Sequence, residues 1–154
     1  AAFPFEPAAL RFTPRNRKSQ TMTSHRQDLT RNQTLVLDTL AKADGPLSAY
    51  TILDRLREDG FRAPLQVYRA LEKLLGFGLV HRLESLNAFV ACAHPHCHAQ
   101  GLIAFAICED CGQVDEFADA VVRERLGAWS ADHGFRPEKT TIEIRGHCAA
   151  CSAS

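Results

Sequence analysis

Six cysteines and seven histidines carry much of the chemistry available to this 154-residue chain. Four of the thiols come as two pairs, Cys108-Glu109-Asp110-Cys111 and Cys148-Ala149-Ala150-Cys151. Two such pairs supply the four thiolates of a closed structural zinc site. The plainer readings are two disulfides or four idle thiols. One pair alone would suit a thioredoxin-like redox couple, but two pairs closing one small unit argue against that. The 36 residues between the pairs exceed the spacing of a zinc ribbon. They leave room for a strand, a helix and a returning strand, so a metal here pins the ends of a small domain together.

A second group is softer in outline: His81, Cys92, His94, His96, Cys97, His98 and Glu116. Singly, each reads as a surface or loop residue. Together they form a mixed set of N, S and O donors, and such a set suits zinc. His94, His96 and His98 share a parity, so an extended loop presents them together. If a hairpin turns between Leu86 and Asn87, His81 faces Cys92 directly, with Cβ atoms ~4.5–5.5 Å apart. Which histidine completes the group stays open.

The third group is Gln66, Tyr68, Arg69 and Lys73. Gln66, Arg69 and Lys73 recur at helical spacing opposite an apolar stripe. Arginine can read guanine or clamp phosphate, and tyrosine can touch a thymine methyl. An ordinary solvated helix face is the plain alternative.

These residues need elements to place them. Thr30–Ala43 reads as a helix with Leu35, Val36, Leu37, Leu40 and Ala41 inward, stopped by Gly45-Pro46. Ser48 caps a second helix that buries Ile52, Leu53 and Leu56 and ends at Gly60. Pro64 opens a third, with Val67, Leu71, Leu74 and Leu75 buried. Gly76 and Gly78 break it, and Leu79–Glu84 and Phe89–Cys92 form a hairpin. Three helices and a hairpin make a winged helix-turn-helix. Beyond the His-rich loop, Leu102–Cys108 and Val114–Phe117 read as strands. Asp119–His133 reads as an amphipathic helix with Val121, Val122, Leu126 and Trp129 inward, and Thr140–Gly146 as a last strand. The expected class is therefore α/β (α+β): a disordered leader over 1–28, a winged-helix DNA-binding domain over 29–92, a hinge loop over 93–101, and a small metal-binding dimerisation domain over 102–154. The last unit is short for an independent core, so a metal or a partner should support it.

Charge narrows the partners. Lys+Arg and Asp+Glu both total 18. Residues 1–30 carry five basic and two acidic groups, 31–90 eight and seven, and 91–154 five and nine. A polybasic coat is excluded, so DNA must meet a local basic face. No apolar run approaches the ~18–20 residues of a membrane span, and no secretory signal opens the chain. A reducing cytoplasm is expected, where cysteines serve as metal ligands more often than as disulfides. The only methionine is Met22, which suits a natural start there; a transit peptide or a phosphate-binding basic arm are the rival readings of the leader. There is no HExxH, no P-loop and no deaminase signature. No nucleophile stands out either, so the chain does not read as an enzyme and no small-molecule substrate is expected; a zinc metalloenzyme with an open, water-bearing His/Cys site is the remote alternative.

Taken together, Val67-Tyr68-Arg69-Ala70-Leu71, Gly78-Leu79-Val80-His81, Cys108-x-x-Cys111-Gly112 and Gly146-His147-Cys148 resemble the ferric uptake regulator family over about Leu29–Cys151. Ser48-Ala49-Tyr50, Val80-His81-Arg82-x-Glu84-Ser85-x-Asn87 and Cys92 are most similar to its zinc uptake regulator branch. The resemblance implies a homodimeric, zinc-dependent repressor that binds an A·T-rich palindrome and controls zinc uptake genes. It implies base contacts from Tyr68 and Arg69, and structural zinc on Cys108, Cys111, Cys148 and Cys151. It also implies a second, sensing zinc on His81, Cys92 and Glu116, hence two per monomer. The family's fourth sensing ligand is a loop histidine; His98 is the nearest candidate, with His96 and His94 behind it. Iron or peroxide sensing by the same fold is the alternative. It is disfavoured because Ala104–Ile107 and Thr140 stand where the iron branch has histidines.

Overall fold

A computed structural model describes residues 28–93 and 102–152. The leader and the loop carrying His94, His96, Cys97 and His98 lie outside the described residues.

Local signals build the N-terminal half. Thr30 Oγ1 accepts from the Gln33 amide while Gln33 Oε1 accepts from the Thr30 amide. This reciprocal cap starts α1, Arg31–Ala41. Ser48 Oγ accepts from the Thr51 amide at 3.1 Å and starts α2, Ala49–Arg55. Pro64 opens α3, Pro64–Gly76. The apolar stripes of the three helices meet in one cluster built on Val36, Leu37, Leu40, Ile52, Leu53, Val67, Leu71 and Leu74. α2 stops before Gly60, and the chain turns through 56–60 with Gly60 at φ 99°. Gly78, at φ 70°, turns the chain out of α3.

A hairpin follows, β1 (Val80–Leu83) and β2 (Ala88–Ala91). Leu47 pairs with Phe89 on its outer side, tying the α1–α2 connection to the wing. The connection is a 3-10 turn over Glu84–Leu86, closed by Asn87 in the left-handed region at φ 47°. This corrects the expected register. Four residues, 84–87, form the loop, so Leu83 pairs with Ala88 and His81 with Val90 rather than with Cys92. Cys92 comes two residues later, so it stays on His81's side of the ribbon as a diagonal neighbour.

The C-terminal half is a three-stranded sheet in the order β4-β3-β5. β3 (Leu102–Cys108) runs antiparallel to β4 (Val114–Phe117) and parallel to β5 (Thr140–Gly146). The parallel pair needs a long crossover, which α4 (Ala120–Asp132) supplies. A short α5, Ala149–Ser152, ends the described chain and was not anticipated. A second apolar cluster, Leu83, Ile103, Phe105 and Ile107 with Val90, Cys92 and Val114, seats the wing on this sheet.

α4 departs from expectation. Val121, Val122, Leu126 and Trp129 do not point into a core. They are exposed, Val121 by 66% and Trp129 by 53%, and Ser130 is the only buried residue of the helix. Phe135 and Ile144 are exposed with them. The expected amphipathic stripe is interrupted by Arg125 and Asp132, and its apolar side chains have no cover among the described residues.

Candidate metal centres and DNA-reading face

The parallel pairing of β3 and β5 sets Cys108 beside Gly146. This brings the turn holding Cys111 against the segment holding Cys148 and Cys151. The four sulfurs lie within 4.8 Å of one another, and Cys111 and Cys148 are 3.8 Å apart. A tetrahedral zinc with bonds of ~2.3 Å requires sulfur separations of about 3.8 Å, which the Cys111–Cys148 pair already has. Gly112, at φ 73°, lets the chain fold back so that its amide reaches the Cys108 carbonyl at 3.1 Å. Amides of Cys111 and Cys148 directed at the Cys108 sulfur hold that thiol down at about 6. Crowding by the Cys148 and Cys111 sulfurs pushes Cys151 up to about 12. Four thiols this close cannot all ionise alone; a divalent cation resolves that conflict. Two ion pairs staple the turns outside the sulfurs: His147 Nδ1 to Asp110 Oδ2 at 2.7 Å and Arg145 to Glu109 at 2.6 Å. Hydrogen bonding to Asp110 raises the His147 pKa above its usual value.

The second group forms where wing meets sheet. His81 comes from β1, Cys92 from the residue after β2, and Glu116 from β4. Their candidate ligand atoms also fall within 4.8 Å of one another. His81 Nε2 lies 3.9 Å from Glu116 Oε2, and the Cys92 sulfur 3.9 Å from Glu116 Oε1. His81 is only 5% exposed, with its ring 5.5 Å from that of Phe105. The Ala93 amide donates to Glu116 Oε2 at 3.0 Å and aims the carboxylate. A buried imidazole, a carboxylate and a sulfur are a zinc-compatible donor set. Cys92 is disulfide-bonded here. A sulfur in that state cannot act as a thiolate, so ligation requires its reduction. His94, His96 and His98 lie outside the described residues, and so does the choice among them.

On α3, Tyr68 is 43% exposed, and Arg69 and Lys73 are exposed on the same helix. Gln66 is differently employed. Its Oε1 accepts from the amides of Arg62 and Ala63, at 2.7 and 3.1 Å, and caps the helix start. Only its amide nitrogen remains to meet a base. One contact had no signal in the sequence: Glu143 of β5 reaches the wing turn, 58 and 59 residues away along the chain.

The ferric uptake regulator family model matches residues 24–145. The chain belongs to the ferric uptake regulator family. Within the family, the zinc uptake regulation protein of Escherichia coli (strain K12) is 40% identical over 124 residues, 80% of this chain and 72% of that protein. The ferric uptake regulation protein of the same strain is 31% identical over 118 residues, 74% and 76% of the two chains. Among solved structures of family members, holo XcZur matches with a TM-score of 0.74 and 44% identity, covering 82% of this chain and 87% of that one. A zinc uptake regulator complexed with zinc and DNA matches with a TM-score of 0.75 and 38% identity, covering 80% and 83%.

Proposed function

We propose that this family member is a zinc-responsive transcriptional repressor, which binds palindromic operator DNA as a zinc-loaded homodimer and controls zinc uptake genes. The observation that carries the reading is the meeting of His81, Cys92 and Glu116 within 4.8 Å at the junction of wing and sheet. The similarity to zinc uptake regulators supports it. The protein is a regulator rather than an enzyme and works in the cytoplasm.

It takes two zinc ions per monomer. Cys108, Cys111, Cys148 and Cys151 hold the structural one. His81, Cys92 and Glu116 hold the sensing one, with His98, His96 or His94 completing the set. Zinc supplies a fixed point of coordination that a thiolate, an imidazole and a carboxylate share. The chain's residues do the rest. His81 and Cys92 belong to the wing and Glu116 to the sheet, so holding all three at one point fixes one half of the molecule against the other. Two recognition helices must reach major grooves one turn, ~34 Å, apart. A fixed hinge has already lost the orientational freedom that DNA binding would otherwise remove, so metal and DNA affinities rise together and reciprocally. The ligands lose protons on binding, so sensing weakens at acidic pH.

The uncovered apolar face of α4, with Phe135 and Ile144, joins two copies of the chain about a two-fold axis. Tyr68, Arg69 and Lys73 face the major groove, with Gln66 at their N-terminal end. Arg69→Ala should weaken operator binding by about 1–3 kcal/mol and relax sequence preference at one position. Lys73→Ala should weaken binding evenly across sequences and lower the salt slope by about 1. Equilibrium titrations at several salt concentrations separate the two.

The reading is tested by metal exchange under reducing conditions. Operator binding is measured after adding Zn(II), Fe(II) or Mn(II) to protein that keeps only its tightly held metal. Activation by Zn(II) at the lowest free concentration supports the proposal. Activation by Fe(II) alone overturns it in favour of an iron sensor of the same fold.

A further inference from the structure

The wing is attached to the sheet at two places. At one end of β1 lies His81, beside Glu116 of β4. At the other end lies the turn, where Glu143 Oε1 accepts from the Glu84 amide at 2.6 Å and Glu143 Oε2 accepts from the Ser85 amide at 3.0 Å. Glu143 sits on β5, paired in register with Phe105 of β3. β4 and β5 are the two outer strands of the sheet. The hairpin therefore straddles β3, held towards β4 by the His81 end and towards β5 by the turn. Between the two anchors, Leu83 and Val90 pack over Ile103, Phe105 and Ile107.

One anchor leaves a rigid ribbon free to pivot, whereas two anchors roughly 10 Å apart, three residues along a strand, do not. Only the first of these anchors uses metal-ligating side chains. From this geometry we infer that Glu143 is a second, metal-independent tether of the wing, a positioning residue that sets how much zinc is needed to fix the DNA-binding orientation. The inference rests on the zinc-repressor reading for its consequence, but the tether itself does not. Both carboxylate oxygens are spent on backbone amides that would otherwise face solvent at a hairpin tip. Burial works against the charged form of Glu143, but the bonds from Ser85 and Glu84 and the nearby Arg145 outweigh it and hold the carboxyl below its usual range. The tether is thus charged at neutral pH, when charge-assisted bonds are at their strongest.

The consequence follows from linkage. If the wing exchanges between seated and unseated positions, zinc and operator both favour the seated one. Weakening the tether raises the zinc needed for half-maximal binding and lowers operator affinity at limiting zinc, by one shared factor.

The test uses the full chain, reduced, as wild type, Glu143→Ala and Glu143→Gln. Operator binding is titrated with zinc, while tightly held zinc and melting temperature are recorded on the same samples. Glu143→Ala should shift the zinc midpoint upward by about tenfold. Glu143→Gln, which keeps one acceptor, should fall between. Tightly held zinc should stay the same in all three, and melting should move by no more than a few degrees. Superimposed zinc midpoints overturn the inference. So does a shifted midpoint accompanied by loss of tightly held zinc, since that marks general destabilisation. Amide exchange at Glu84 and Ser85 provides a readout independent of zinc. Both amides should exchange faster in Glu143→Ala, and unchanged exchange overturns the tether. A wild-type protein that ignores zinc would remove the repressor reading while the exchange result still decides the tether.

Discussion

Cys92→Ser should abolish zinc-dependent operator binding and leave a folded dimer. Cys92 is the one sulfur of the three-residue group at the wing–sheet junction. A serine hydroxyl is not deprotonated at neutral pH, so His81 and Glu116 would be left without their thiolate. Losing a ligand outright should cost at least the 10–100-fold that losing a supporting partner costs. The fold should tolerate the change. Cys92 is only partly buried and lies at the margin of the Leu83–Ile103–Phe105–Ile107 cluster, not at its centre. The variant should therefore melt close to wild type, keep its tightly held zinc and run as a dimer, yet bind operator equally weakly with or without added zinc. Zinc-dependent binding that survives Cys92→Ser would remove Cys92 from the sensing group.

Cys148→Ser should act at the other centre and do the opposite. Its sulfur lies 3.8 Å from that of Cys111, and its amide points at Cys108. The sheet around it is small, and α4 adds little cover, with Ser130 as its only buried residue. Such a unit leans on its metal. Structural zinc contributes about 10–16 kcal/mol of apparent binding free energy in isolated zinc-finger peptides. That is comparable to the whole stability margin of an ordinary domain, about 5–15 kcal/mol. The variant should lose its tightly held zinc, lose amide protection along β3 and β5, and fall apart to monomers at concentrations where wild type is dimeric. The helical cluster built on Val36, Leu37 and Leu71 has its own core and should keep its helical signal. A variant that holds its zinc and dimerises as wild type does would contradict a structural role for this centre.

Much of the architecture was legible because its causes are local. Thr30, Ser48 and Pro64 mark helix starts by chemistry acting within one turn. The two CxxC pairs declare a metal by type and spacing. The misreadings have physical causes too. The apolar residues of α4 suggested an inward face, but Val121 and Trp129 are exposed, because apolar spacing alone does not say what covers a helix. The wing register shifted because the turn, closed by Asn87 in a left-handed conformation, takes up 84–87 rather than 85–88, which moves its centre one residue towards the N-terminus. The capping of α3 by the Gln66 side-chain oxygen was not legible from its place on the helix face; it leaves the amide nitrogen to meet a base. Glu143 gave no signal because its partners are backbone amides far along the chain. The group at the wing–sheet junction was legible as a set of donors, since His81, Cys92 and Glu116 converge.

On the proposed function, an exchangeable zinc at the His81–Cys92–Glu116 junction switches DNA binding. The most direct measurement follows zinc per monomer and operator binding on one reduced preparation, with and without a mild chelator. One zinc should stay in place under the chelator, and the loss and return of a second should track operator binding point for point. Operator binding that stays constant while the second zinc is stripped and restored would contradict it.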